Sequence, residues 1–100
     1  MAYEMLVGLE VIDDDNYQAY RQAMKPILIT YGGGFAVDFR VSEVLLPQAG
    51  ANINRVFTIY FRDETAKNDF FADDDYLKVK ARYFETSVAS TSILASYERG

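Results

Sequence analysis

The sequence predicts an α+β domain in which four antiparallel strands form one sheet and two main helices cover one of its faces. Three observations support this fold class. Short runs of residues alternate between apolar and polar with a period of two, an amphipathic helix follows the first run, and aspartates stand where each helix would begin. One hundred residues, of which 50% are hydrophobic and 15% aromatic, suffice for a core. We therefore predict a single domain over residues 1–100.

The first predicted strand covers residues 4–11 and leads into a long helix. The aspartates at 13–15 supply carboxylates that can cap free N–H groups at the start of this helix. Apolar residues then recur every three or four positions, at Tyr17, Tyr20, Met24, Ile27, Leu28 and Tyr31. Pro26 lies inside that stripe and lacks an N–H, so we expect a kink or a short break at Lys25–Pro26. Gly32 is placed to end the helix in the left-handed conformation, and the φ > 0 geometry that glycine tolerates explains the run Gly32–Gly34.

The second and third strands are predicted to form an antiparallel hairpin. In the second strand Phe35, Val37, Phe39 and Val41 alternate with Ala36, Asp38, Arg40 and Ser42. The third strand is predicted from Ile53 to Phe61, with Ile53, Phe57, Ile59 and Phe61 on one face. Pro47–Asn52 would connect the two strands.

The remainder of the chain completes an alternating order of strands and helices. Asp63 can cap a second helix, and the aspartates at 73–75 open a third, shorter one. The last strand is predicted from Thr91 to Glu98, with Ile93, Ala95 and Tyr97 on one face and Leu94 on the other. The order β-α-β-β-α-β, with the short third helix before the last strand, is the split βαβ pattern of a ferredoxin-like domain.

Two helices can cover only one face of such a sheet. The other face would expose the apolar residues Leu6, Val56, Tyr60 and Leu94. Exposed apolar area of this kind usually marks an interface, and a second copy of the sheet is the simplest cover. We therefore predict a two-fold homodimer with facing sheets.

Several short motifs resemble those of the domain-of-unknown-function family 1330. They are Tyr17-x-x-Tyr20-Arg21, Tyr31-Gly32-Gly33-x-Phe35, Phe70-Phe71-x-x-x-Asp75-Tyr76, and the strand that ends at Phe61 before the capping Asp63. The resemblance implies a dimeric α/β barrel, in a superfamily that includes small monooxygenases, dechlorinases, isomerases and proteins without an assigned activity. The chain departs from the family pattern at Gly34, where a basic residue is usual, and at Asp38, Phe39 and Arg40, where an arginine and a glycine pair are usual.

The composition restricts the partners and the chemistry. A net charge of −5 disfavours nucleic acid as a partner, and no apolar run is long enough for a membrane helix. Without an export signal the expected location is the cytoplasm. The chain has no cysteine and no histidine, which excludes thiolate and imidazole chemistry, and it contains no cofactor or metal motif. We expect neither a cofactor nor a metal.

Candidate site residues are few, and no catalytic residue can be assigned. Asp38, Arg40 and Glu43, with Arg55 across the hairpin, form the best polar cluster, for which cross-strand ion pairing is the favoured interpretation over chemistry. Tyr20 and Tyr60 are candidates for lining a cleft between the helices and the sheet, although such tyrosines are more often core or interface residues. The position of Tyr20 on the apolar stripe of the helix favours the core.

Two functional hypotheses remain open. In the first, the cleft binds a small apolar or aromatic molecule, with or without cofactor-free turnover. In the second, the protein is a structural or regulatory homodimer without catalytic activity. A cavity of about 300 Å³ or more that is lined by tyrosines and one unpaired carboxylate would favour the first hypothesis. A filled interior with paired carboxylates would favour the second.

Overall fold

The structure, a computed structural model, describes residues 1–47 and 52–99. Within these residues the chain forms the strands β1 (Ala2–Val11), β2 (Gly34–Arg40), β3 (Arg55–Phe61) and β4 (Val88–Arg99). The helices are α1 (Asp14–Thr30), α2 (Glu64–Ala72) and α3 (Asp74–Val79). A π-helical turn at Lys80–Phe84 and a helical turn at Glu85–Ser87 join α3 to β4. Of the predicted connection Pro47–Asn52, residues 48–51 lie outside the described residues.

The four strands form one sheet in the order β2-β3-β1-β4, and all neighbouring strands are antiparallel. The first and last strands of the chain therefore lie side by side, and β3 is inserted between β1 and β2. This is the arrangement that the split βαβ pattern predicts. The predicted ferredoxin-like α+β fold class is confirmed.

Helix α1 runs continuously through Pro26, so of the predicted kink or short break at Lys25–Pro26 the break is wrong. Because Pro26 has no N–H, the carbonyl of Gln22 lacks its usual helical hydrogen bond. Both residues are exposed, so water can hydrate that carbonyl. Met24 and Leu28 are buried against the sheet on either side of the proline. Their burial holds both parts of the helix on the same surface.

A Schellman motif ends α1. The N–H of Gly33 donates to the Leu28 carbonyl, and the N–H of Gly32 donates to the Ile29 carbonyl, each at 3.0 Å. Gly32 has a φ of 68°, as the sequence predicts. Gly32 alone among the described glycines has a positive φ, so the proposed explanation of the whole run by φ > 0 is wrong for Gly33 and Gly34.

Aspartates cap the three helices as predicted. The Asp13 carboxylate accepts from the Asn16 N–H at 3.1 Å, and the Asp63 carboxylate accepts from the Ala66 N–H at 2.7 Å. Asp73 accepts from two N–H groups at the start of α3 and also from the Tyr31 hydroxyl at 2.6 Å. The last bond ties the end of α1 to the start of α3.

A β-bulge in β2 changes the face on which its later side chains lie. Phe35 stands opposite Ile59, but Asp38 stands opposite Phe57, so β2 contains one extra residue. The Val37 N–H at this bulge donates to the Thr58 hydroxyl at 3.0 Å. The bulge moves Asp38 and Arg40 onto the face that the helices cover and Phe39 onto the open face. The predicted uninterrupted alternation from Phe35 to Val41 is wrong.

A second bulge in β4 has a similar effect. Ala95 stands opposite Leu6 and Ile93 opposite Val7, which leaves Leu94 as the extra residue. Ile93 therefore lies on the helix-covered face, whereas Ala95 lies on the open face. The predicted common face for these two residues is wrong, because alternation cannot locate a bulge between neighbouring apolar residues.

The start of β3 also differs from the prediction. Ile53 precedes the strand and packs on Gly8, where an added Cβ would lie 2.8 Å from the Ile53 Cδ1 atom. Gly8 stands opposite Val56 on the open face, so Ile53 does not share a face with Phe57 as predicted. The neighbouring Asn54 side chain pairs with both the N–H and the carbonyl of Val11, at 2.8 and 2.9 Å.

The open face combines apolar and polar residues. Phe39 is 56% exposed, while Leu6, Val56 and Tyr60 are half-buried. Glu4 is buried on this face and accepts a hydrogen bond from the Tyr97 hydroxyl at 2.6 Å. No helix in the described part of the chain is long and apolar enough to cross a bilayer.

Candidate functional site

An apolar cavity of about 90 Å³ lies between α1 and the helix-covered face of the sheet; we call it the inner cavity. Aromatic side chains form much of its wall, namely Tyr17, Tyr20, Phe35, Phe57, Phe71, Tyr76 and Phe84. Ile93 of β4 also lines it and is 52% exposed, so the cavity reaches solvent at the β4 edge. Its volume is below the roughly 300 Å³ of sites for drug-sized ligands, so any occupant is small.

Arg21 of α1 lines the inner cavity. Its Nε atom donates to the Tyr17 hydroxyl, one helical turn earlier, at 2.8 Å. The guanidinium carbon lies 3.9 Å from the ring centre of Phe35 and 4.6 Å from that of Phe57. Stacking of this kind suits the planar, weakly hydrated guanidinium.

One nitrogen of Arg21 has no hydrogen-bond partner within the described part of the chain. Its Nη1 atom lies 3.4 Å from the Asp38 carboxylate, but the buried Nη2 atom meets no hydrogen-bond acceptor among residues 1–47 and 52–99. A buried donor without an acceptor costs about 1–3 kcal/mol, and more when it is charged. Structures usually provide such a group with an acceptor, which indicates a place for one.

A second, polar cavity of about 400 Å³ adjoins the first; we call it the outer cavity. Arg21 and Phe35 line both cavities. The outer cavity is further lined by Gln18, Gln22, Lys25, Asp38 and Arg55. It therefore contains three cationic side chains and one carboxylate.

Asp38 forms a bidentate ion pair with Arg55. The Arg55 Nε and Nη2 atoms donate to the two Asp38 carboxylate oxygens at 2.7 and 2.8 Å. These bonds, together with the charge of Arg21, lower the pKa of the Asp38 carboxyl below its usual 3.8. Asp38 is thus ionised at neutral pH and is a weaker base than an ordinary carboxylate.

The buried tyrosines of the inner cavity are neutral at physiological pH. The hydroxyls of Tyr20 and Tyr76 lie 2.8 Å apart, and burial raises the pKa of each phenol above 10. Burial also raises the pKa of Tyr17, against the opposing charge of Arg21. These hydroxyls can donate or accept hydrogen bonds, but none has a pKa near the value that suits a general base at neutral pH.

The structure separates the six candidate residues predicted from the sequence. Tyr20 lines the inner cavity, and Asp38 and Arg55 line the outer one. Arg40 lies in a further cavity of about 190 Å³ that shares Arg55 with the outer cavity. Glu43 is exposed beyond the end of β2, and Tyr60 lies on the open face, with its ring under Arg99 at 4.7 Å.

Arg21 is the residue that the sequence interpretation missed as a site residue. In the sequence, Arg21 was singled out only as part of the motif Tyr17-x-x-Tyr20-Arg21, which carries the family resemblance. The available signal was its spacing, because a position four residues after Tyr17 lies on the same helical face. An arginine next to the apolar stripe of a helix is therefore a candidate for a role inside the cleft.

Comparison with known proteins identifies the family. The model of the family described as "Domain of unknown function (DUF1330)" matches residues 2–97. The chain belongs to this family. The resemblance noted in the sequence is thereby confirmed for DUF1330, and no curated protein matches the chain.

Solved structures similar to this DUF1330 protein share its fold at low identity. A protein of unknown function from Rhodopseudomonas palustris has 15% identity and a TM-score of 0.80, with 98% of this chain and 82% of that one covered. A dabb family protein with a ferredoxin-like fold from Mesorhizobium loti has 14% identity and a TM-score of 0.66, with coverage of 98% and 96%. A dimeric ferredoxin-like protein of unknown function from Jannaschia sp. has 11% identity and a TM-score of 0.65, with coverage of 99% and 100%.

Proposed function

We propose that this protein is a homodimer that binds a small apolar or aromatic molecule in the inner cavity. The observation that carries the proposal is the cavity itself, enclosed by aromatic side chains between α1 and the sheet and reaching solvent beside Ile93. Concave apolar sites with a few polar groups are the usual ligand sites of proteins. A volume of about 90 Å³ limits the buried part of the ligand to a short branched chain or part of a ring.

The side chains of the cleft favour binding over proton-transfer chemistry. Asp38 has a lowered pKa because Arg55 binds it, and Tyr20 has a raised pKa because it is buried. Both shifts move away from neutral pH, where a general acid or base is most effective. Their expected contribution is to orient a ligand.

The open face of the sheet supports the homodimer. Phe39 is exposed beside the half-buried Val56, and no helix of the described chain covers them. A similar structure, the Jannaschia protein, is described as dimeric. A second copy of the chain that packs on this face would remove the apolar surface from water.

Xenon is a suitable probe of the inner cavity because it enters dry apolar cavities. We expect saturable methyl-resonance shifts at Met5, Ile59 and other lining residues when the protein is pressurised with xenon. Ile93→Trp adds bulk at the mouth and should abolish the shifts. Ile29→Trp, the same change at an exposed site on α1 away from the cavity, should leave them intact. Shifts that survive in Ile93→Trp, or never appear in the native protein, refute the proposed site.

Native mass spectrometry tests the homodimer. The expected mass is near twice 11.4 kDa, and a purely monomeric signal at micromolar concentration contradicts the proposal. Phe39→Glu introduces a charge on the open face and should shift the protein to monomer. Ile29→Glu introduces the same charge on the outer side of α1 and should not.

The alternative is a structural or regulatory homodimer without a ligand. Two observations favour it: the inner cavity is smaller than the volume expected for a drug-sized ligand, and Asp38 is paired. The two functions separate in the same mass spectrum. A small mass that is retained under gentle conditions and lost on denaturation favours the binding protein, whereas an adduct-free dimer that takes up no xenon favours the alternative.

A further inference from the structure

We propose that the ligand is a small carboxylic acid, with its apolar body in the inner cavity and its carboxylate at Arg21 in the outer cavity. The inference rests on the proposed function and adds the chemical class of the ligand. It also assigns Arg21 as the residue that determines specificity for an anion. Neither the family nor the similar structures supply this assignment.

The unpartnered nitrogen of Arg21 is the first support. The guanidinium stacks on Phe35 and Phe57, and its Nε is occupied by the Tyr17 hydroxyl. Nη1 has only a long contact of 3.4 Å with Asp38, and Nη2 has no acceptor in the described chain. A carboxylate is the acceptor that best matches two adjacent guanidinium nitrogens, because its two oxygens can take both N–H groups.

The local charge is the second support. Arg21, Lys25 and Arg55 face the outer cavity with Asp38 as its one carboxylate, which gives a net charge of +2. The whole chain has a net charge of −5. A positively charged depression on an acidic protein attracts small anions and disfavours cations.

The position of Arg21 between the two cavities is the third support. Arg21 and Phe35 line both of them, so a molecule that contacts Arg21 can have one end in an apolar space and the other in a polar, cationic one. An amphipathic acid satisfies both environments at once. A neutral apolar molecule leaves Nη2 unpaired, and an inorganic anion leaves the inner cavity empty.

In this arrangement the Asp38 carboxylate competes with the carboxylate of the ligand for Arg21. Its carboxylate binds Arg55 through two hydrogen bonds and contacts Arg21 only weakly. It thereby fixes Arg55 while Arg21 keeps free capacity. Removal of the Asp38 charge should therefore strengthen the binding of an acid rather than weaken it, the opposite of what a purely structural ion pair predicts for ligand affinity.

A matched pair of probes tests the proposal. 3-Methylbutanoate and 3-methylbutanamide have the same branched body and differ in the charge of the head group. We expect the acid to bind the native protein at least about tenfold more tightly than the amide, a difference of about 1.4 kcal/mol. The acid, and not the amide, should shift the Arg21 Nε–H resonance in an NMR titration.

Variants separate the contribution of Arg21 from general electrostatics. Arg21→Gln should reduce the preference for the acid to about one, and Asp38→Asn should raise acid affinity about threefold or more. Arg62→Gln removes the same charge as Arg21→Gln at a site whose side chain is 63% exposed, and should change acid affinity less than twofold. Lys25→Gln, which leaves the stacked Arg21 in place, should lower acid affinity severalfold and serves if Arg21→Gln does not fold.

The outcomes distinguish this inference from the proposed function. If the amide binds as tightly as the acid, the anion assignment is overturned and the apolar site remains. If the acid binds but Arg62→Gln weakens it as much as Arg21→Gln does, the attraction is non-specific and the inference fails. If neither probe binds and xenon does not enter, the proposed function fails with it.

Discussion

Adding one methyl group at Gly33 should destabilise the fold. The reason is a steric clash, because Gly33 does not have a positive φ. A Cβ atom there would lie 2.5 Å from the Leu28 Cδ1 atom and 2.5 Å from the Tyr60 carbonyl oxygen. The first atom belongs to a fully buried side chain and the second to the backbone of β3, so neither can move freely. Gly33→Ala therefore forces the end of α1 away from the sheet.

The magnitude follows from two destabilising effects and one that opposes them. Overpacking against Leu28 costs about 1–3 kcal/mol, and displacement of the Tyr60 carbonyl weakens a strand contact by about 1 kcal/mol. The smaller conformational entropy of alanine in the unfolded chain returns about 0.4–1 kcal/mol. We expect a net loss of roughly 1–3.5 kcal/mol in the free energy of unfolding. With an m-value of about 1 kcal/mol/M, the urea midpoint should fall by roughly 1–3.5 M.

Gly34→Ala is the matched control. A Cβ at this position would lie 2.6 Å from the Tyr60 hydroxyl oxygen, the far end of a side chain that can swing. We expect a change within about 1 kcal/mol of zero, because the lost contact of Tyr60 with Arg99 is offset by the alanine entropy gain. Urea unfolding followed by far-ultraviolet circular dichroism at a fixed protein concentration measures both variants. If Gly33→Ala unfolds at the same midpoint as Gly34→Ala, the close-approach argument is refuted.

Three further predictions concern charge and packing. Asp38→Asn should lower the free energy of unfolding at pH 7 by about 0.5–1 kcal/mol, a small value because the carboxylate is partly exposed. The difference from the native protein should vanish as the pH falls through 3.8 toward the lowered folded-state pKa, since protonation removes the same ion pair. In Tyr31→Phe the Asp73 carboxyl, whose pKa the Tyr31 hydroxyl lowers, should titrate at a higher pH in a carbon-13 NMR experiment. Phe70→Ala, at a fully buried position, should cost about 3–5 kcal/mol in urea unfolding, whereas Phe71→Ala, at a side chain 37% exposed, should cost about 1–2 kcal/mol.

Each of these has an outcome that would contradict it. A stability difference for Asp38→Asn that persists unchanged below pH 3 would mean that the ion pair is not its cause. An Asp73 titration that is the same in Tyr31→Phe would show that the 2.6 Å hydrogen bond is absent in solution. Equal losses for Phe70→Ala and Phe71→Ala would show that the difference in burial does not set the cost of removing these rings.

Local chemistry explains why the elements of this fold could be predicted. Asp13, Asp63 and Asp73 cap helices through bonds to N–H groups two or three residues away, so the signal and the structure are neighbours in the chain. Gly32 ends α1 through bonds that span at most five residues. The buried stripe of α1 follows from helical periodicity alone.

The candidate site was accessible to sequence interpretation only in part. The contact of Asp38 with Arg55 was anticipated, because both lie on hairpin strands where cross-strand pairs form. The contacts of Arg21 were not anticipated, because its partners Phe35, Phe57 and Asp38 belong to the strands β2 and β3. Tyr60 was predicted both on the open face and as a candidate cleft residue, and the sheet places it on the open face.

The sequence by itself determined the order of strands and helices, their caps and the fold class, because these depend on residues close together in the chain. Only the tertiary structure decided which side chains meet in the cleft. One extra residue in β2 carries Asp38 to the helix-covered face, and one extra residue in β4 puts Ala95 on the open face while Ile93 lies on the helix-covered one. A bulge is stabilised by pairing with a partner strand, so its position depends on residues distant in the sequence. A shift of one residue exchanges the two faces of a strand. In this protein such a shift places the Asp38 side chain on the face where it lines the outer cavity.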